Sequence, residues 1–120
     1  MPARLRRAPK ADVTAALARV ESGAASPADE RLLVTHLLAV LIEQAPGASV
    51  EVRVPPYAVA QCVPGARHTR GTPPAVVESD ATTWIALATG RESWATAVAD
   101  GRVVASGERS DLSPLLPLTG

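Results

Sequence analysis

The run Leu32–Ile42 is the longest apolar stretch in the chain, broken only by Thr35 and His36, and it lies inside a segment with helix punctuation at both ends. Ser26-Pro27 supplies an N-cap followed by proline at the first helical position, where the missing N–H would have had no partner anyway. Asp29 and Glu30 place negative charge in the first turn, which complements the helix dipole. Pro46-Gly47 ends the helix after about Gln44. Along it, Asp29, His36 and Glu43 recur every seven residues as one narrow polar stripe, while Leu33, Leu37, Leu38, Val40, Leu41 and Ile42 cover most of the remaining circumference. A helix this apolar is either buried on several sides or lines a cavity. It is too short to span a bilayer, which takes about 20 consecutive apolar residues.

The core that receives such a helix has to be aliphatic, because hydrophobic residues make up 47% of the chain but aromatic ones only 2%, with no Phe. A chain of 120 residues fits a single core that needs neither a metal nor a disulfide. Cys62 is the one cysteine, which suits a reducing compartment. Arg4, Arg6, Arg7 and Lys10 face no acid in the first ten residues; without them eight basic and twelve acidic residues remain, a balance of −4. A body of that sign repels nucleic acid and anionic membrane, since both are bound by basic faces. Residues 1–10 therefore read as a basic disordered tail and residues 11–120 as one domain. Ala8-Pro9-Lys10-Ala11-Asp12 interrupts anything resembling a secretory leader, so a cytoplasmic protein without integral membrane association is expected.

Around the central helix, a shorter one is expected from Asp12 to Glu21, with Val13, Leu17 and Val20 on one face and Gly23 after its end. From Val50 the period changes to two: Val50, Val52 and Val54 point one way, Glu51 and Arg53 the other. Pro55-Pro56 marks a bend or a wider connection. Tyr57–Val63 is nearly all apolar and reads as a more buried strand, Pro64–Pro74 as a loop, and Ala75–Glu78 as a short strand. Asp80 caps a helix with Trp84, Leu87 and Ala88 inward and Gly90 at its end. A further helix from Glu92-Ser93 buries Trp94, Ala97 and Val98 and stops at Asp100-Gly101. Arg102–Ser106 forms a strand, and Asp111 caps a last turn bearing Leu112, Leu115 and Leu116.

Asp80, Trp84, Leu87, Gly90, Val98, Gly101, Val103, Gly107, Leu112 and Leu115 stand in the order and spacing of the C-terminal signature of the sterol carrier protein superfamily, which the chain resembles over about residues 80–116. The middle, from Val50 through Pro74, looks like the actinobacterial branch of sterol carrier family proteins. The resemblance implies an α/β (α+β) fold: a small, largely antiparallel sheet covered on one face by helices, with an apolar tunnel between the layers. It also implies binding or transfer of lipids, fatty acyl chains or sterols, or service as an accessory domain, as in the C-terminal region of mycothiol-dependent maleylpyruvate isomerases. The chain departs from that pattern in lacking the Phe residues that usually line the tunnel and in having no peroxisomal tripeptide at Leu118-Thr119-Gly120.

On this basis Leu37, Leu41, Tyr57, Trp84, Leu87, Leu112 and Leu116 are the candidate wall of a ligand site. Arg67, His68 and Arg70 stand at its mouth, where two guanidinium forks beside an imidazole suit a carboxylate or phosphate. The alternative for that loop is an ordinary polar surface whose arginines pair with acids such as Glu78. Cys62 and His68 are six residues apart, but a nucleophilic thiol needs an electropositive, partly open site, and Cys62 lies in an apolar run. No nucleophile elbow, phosphate loop or metal-ligand spacing occurs, so no catalytic residue, metal or cofactor is assigned. The expected function is non-enzymatic binding of a hydrophobic small molecule. The alternative is a filled module that forms a homodimer or docks a partner protein.

Overall fold

The computed structural model describes residues 5–65, 75–107 and 110–118. Along the chain come α1 (Lys10–Glu21), α2 (Pro27–Gln44), β1 (Val50–Val54), β2 (Ala58–Cys62), β3 (Ala75–Ser79), α3 (Ala81–Ala88), α4 (Trp94–Ala99) and β4 (Val103–Ser106), then a 3₁₀ turn over Ser113–Leu115. Helix α2 begins where its signals demand. The Ser26 hydroxyl accepts the Asp29 N–H at 3.1 Å, and the Asp29 carboxylate takes the Ser26 N–H at 3.0 Å, a reciprocal box that satisfies two otherwise orphaned donors.

The four strands form one sheet in the order β2-β1-β3-β4. The outer pairings are antiparallel and the central β1–β3 pairing is parallel, with Val52 opposite both Ala60 and Val77. Alternation sorts the two faces. Val50, Val52, Val54, Ala60, Cys62, Ala75, Val77 and Val103 are buried in one core with α2 and α3, whereas Arg53, Val59, Gln61, Glu78 and Val104 are exposed on the other side. The architecture is thus α+β, a small and largely antiparallel sheet with helices over one face.

Several local expectations change. Strand β2, read as the more buried one over Tyr57–Val63, covers only Ala58–Cys62 and forms an edge, with Val59 56% exposed. Its run is apolar because small aliphatic residues stand on both faces, not because both are covered. Helix α4 buries Ala97 but leaves Val98 39% exposed and Trp94 half-buried, since six residues offer one inward position. The last turn is a single 3₁₀ turn; Leu112 is fully buried, and Asp111 accepts the Ser113 N–H at 2.9 Å.

The basic start makes contacts with the body where it is described. Helix α1 begins at Lys10, two residues early; Leu5 packs against the core cluster, and Arg7 and Ala8 bond to α2. Residues 5–10 are therefore part of the packed body, and residues 1–4 lie outside the described residues.

Candidate functional site

The polar stripe of α2 turns out to be the seam that receives the N-terminal elements. Arg19 forks onto Asp29 with two 2.8 Å hydrogen bonds, the Ala8 N–H donates to His36 Nδ1 at 2.9 Å, and Arg7 pairs with Glu43 at 2.9 Å. Seven-residue spacing keeps the three polar groups on one line, and an antiparallel neighbour meets them in reverse order. Asp29 and His36 are buried by this contact. The Arg19 guanidinium, with the Ser26 N–H, holds the Asp29 carboxyl well below the usual carboxylate range. Burial, with the Arg7 cation, pushes the His36 imidazole down, and Glu43 opposes this. The neutral ring accepts at Nδ1, which places its proton on Nε2.

Between the helices and the sheet, five of the candidate wall residues belong to one packed core: Leu37 is 8% exposed, and Leu41, Trp84, Leu87 and Leu112 are at 0–1%. Leu116 and Tyr57 pack against it from the side. Tyr57 is tied outward as well, its hydroxyl donating to Glu30 at 2.9 Å and its ring lying 5.6 Å beneath the Arg31 guanidinium. Arg67, His68 and Arg70 lie outside the described residues. Cys62 sits in the core with its thiol pushed up to about 11 by burial, which leaves it protonated and inert at neutral pH.

One group in this core stands out chemically. Trp84 Nε1 is buried and has no hydrogen-bond partner among the described residues. A buried indole N–H ordinarily finds an acceptor, and leaving one unpaired costs about 1–3 kcal/mol. The cluster that Trp84 belongs to is built mainly from Leu, Val, Ile and Ala.

The clefts surround this core rather than divide it. One of about 350 Å³ lies between the end of α3, the start of α4 and the C-terminal segment, lined by Leu87, Trp94 and Leu116 among others. Leu87 stands three residues after Trp84 on α3, and Trp84 itself does not line this cleft. A second, of about 570 Å³, is bordered by Val20, Ala25, Glu30, Thr82 and Ile85 where the α1–α2 turn meets α3. A third, of about 440 Å³, lies between residues 7–10, α1 and α2. None of the three has a strand residue in its lining.

Sequence reasoning named Leu87 and Leu116 as wall candidates, and both line a cleft, but it placed Trp94 as a core anchor only and did not place Val13, Leu17 or His36 at a cleft. The signals were present, namely the apolar face of α1 and the seven-residue stripe of α2. That the two meet at an open seam is a tertiary fact. Among the described residues no group of three metal-ligating side chains converges, and no helix is long and apolar enough to cross a membrane.

Residues 27–118, more than three quarters of the chain, match a family model described as bacterial SCP ortholog. No curated protein matches the chain.

Proposed function

The chain belongs to the bacterial SCP ortholog family, sterol carrier protein-like in kind, and from that premise we propose that it is a non-enzymatic module that binds an apolar small molecule carrying a hydrogen-bond acceptor, such as a fatty acid or an acyl thioester. The unpaired Trp84 N–H inside an aliphatic core is the observation that carries this reading. A guest entering through the cleft at Leu87, Trp94 and Leu116 brings the carbonyl oxygen that the protein's own side chains do not supply. Its tail is stabilised by about 25 cal/mol for each Å² of apolar surface removed from water, before ordering costs. Five of the wall residues, Leu37, Leu41, Trp84, Leu87 and Leu112, are at 0–8% exposure in one packed core, so uptake requires the C-terminal segment to part from α3. That segment is held there in part by the Leu118 N–H to Ala88 carbonyl bond of 2.9 Å. Arg67, His68 and Arg70 belong to the proposal as a candidate anion clamp, and replacing both arginines by Ala abolishes carboxylate-dependent binding if they act so.

The test is organic extraction of the purified protein followed by mass spectrometry for co-purified lipid, with a palmitate titration of the extracted protein and of Trp84→Phe. Losing one hydrogen bond of about 1 kcal/mol weakens binding roughly fivefold. A protein that yields no lipid and shows no saturable palmitate binding refutes the carrier reading.

The packed core also favours a second reading, an interaction module whose open sheet face docks a partner or a second copy. Val59 and Val104 are 56% and 62% exposed on that face. A discrete dimer in sedimentation, together with absence of lipid, would select it.

A further inference from the structure

We propose that the cleft between residues 7–10, α1 and α2 is a separate binding site for a small amphiphilic carboxylate, one with a short apolar body and a single anionic end. Three observations converge there. The volume, about 440 Å³, falls within the range of small-molecule pockets, roughly 300–1,000 Å³. Its floor is apolar, made by Ala8, Val13 and Leu17, and Val13 and Leu17 are half-buried against the core cluster.

Its polar groups are donors. His36 lines the cleft and is only 6% exposed, and with Nδ1 taken by the Ala8 N–H it carries its proton on Nε2. Arg7, Lys10 and Thr14, whose hydroxyl can donate as well as accept, complete the lining. Of the two acids on the α2 stripe, Asp29 is held by Arg19 and Glu43 by Arg7, the latter through both carboxylate oxygens at 2.9 and 3.0 Å. Lys10 takes part in no ion pair among the described residues and remains as the uncompensated positive charge. An apolar floor selects a hydrocarbon body, while a neutral donor beside a free ammonium selects an anionic head over a hydroxyl.

This site is distinct from the core entered beside Leu87, and the two have separate reporters. Octanoate is titrated into the full chain while the His36 imidazole and the Trp84 indole N–H are followed by NMR, with octan-1-ol and acetate as controls. The expected result is a saturable shift of the His36 signals by octanoate, with both controls at least tenfold weaker. Lys10→Gln, on an exposed side chain, is expected to weaken octanoate binding about tenfold without moving the unfolding midpoint. The proposal is overturned if octanoate leaves His36 unmoved, if octan-1-ol binds equally well, or if Lys10→Gln binds like the parent chain. A shift confined to the Trp84 indole would support the core reading and sink this one.

Discussion

Replacing Gly47 by Ala tests whether the junction between α2 and the sheet is as tightly closed as it looks. Gly47 has φ +149, and a Cβ built there would lie well inside contact distance of the Val63 carbonyl oxygen and 2.5 Å from the Val63 carbonyl carbon. Those are backbone atoms that cannot swing aside as a side chain would. The same Val63 holds the junction together. Its N–H donates to the Ala45 carbonyl at 2.6 Å, and its own carbonyl accepts from the Ser49 N–H at 3.2 Å and the Ser49 hydroxyl at 2.7 Å. Forcing a side chain into that backbone region costs about 1–3 kcal/mol. The displacement that relieves the clash loosens bonds worth about 0.5–1.5 kcal/mol each.

With two of the three bonds lost the total is about 2–6 kcal/mol, and at roughly 4 °C per kcal/mol the melting temperature falls by roughly 8–24 °C. Urea unfolding followed by tryptophan fluorescence, together with a thermal melt by circular dichroism, measures both quantities. Gly23→Ala is the control, because Gly23 has φ +76 with nothing within 4 Å of the built Cβ, and it should lose only about 1 kcal/mol. If Gly47→Ala is no worse than Gly23→Ala, the steric reasoning is wrong.

Leu41→Ala empties a fully buried position and should cost about 2–5 kcal/mol in urea unfolding, whereas Val104→Ala, 62% exposed, should stay within about 0.5 kcal/mol. Asp80 caps α3 through a 2.7 Å bond from the Thr83 N–H, so Asp80→Ala should lose about 1 kcal/mol while Asp80→Asn stays close to the parent. The His36 pKa lies below the ordinary imidazole value of about 6.5 in the folded chain, chiefly because the ring is buried. As pH falls through 6.5 the unfolded chain therefore takes up the proton first, and stability drops until the lower folded pKa is passed. Urea midpoints between pH 8 and 5 should show that slope, and His36→Asn, whose side-chain oxygen can still accept the Ala8 N–H, should remove it.

Much of the fold could be read along the chain because its signals are local. The limits of α2 follow from Ser26-Pro27 and Pro46-Gly47, the cap of α3 from Asp80, and the faces of β1 from strict alternation. A hydrogen bond three residues long, or a side chain's alternation about a strand, is decided by neighbours in sequence. The candidate site was legible only in outline. Leu41, Leu87 and Leu112 could be recognised as inward-facing, but whether they line a gap or close on one another depends on how elements far apart in sequence are spaced.

The sequence by itself determined the aliphatic core, the central helix, the one-sided sheet and the family signature, since each rests on composition, periodicity or short-range geometry. Only the tertiary structure decided that the α2 stripe is a seam for Arg19, Ala8 and Arg7, that β2 is an edge, and that the Trp84 N–H is left without a partner among the described residues. Those facts depend on what is brought alongside from elsewhere in the chain. A residue's pattern states which face it occupies but not what that face will meet.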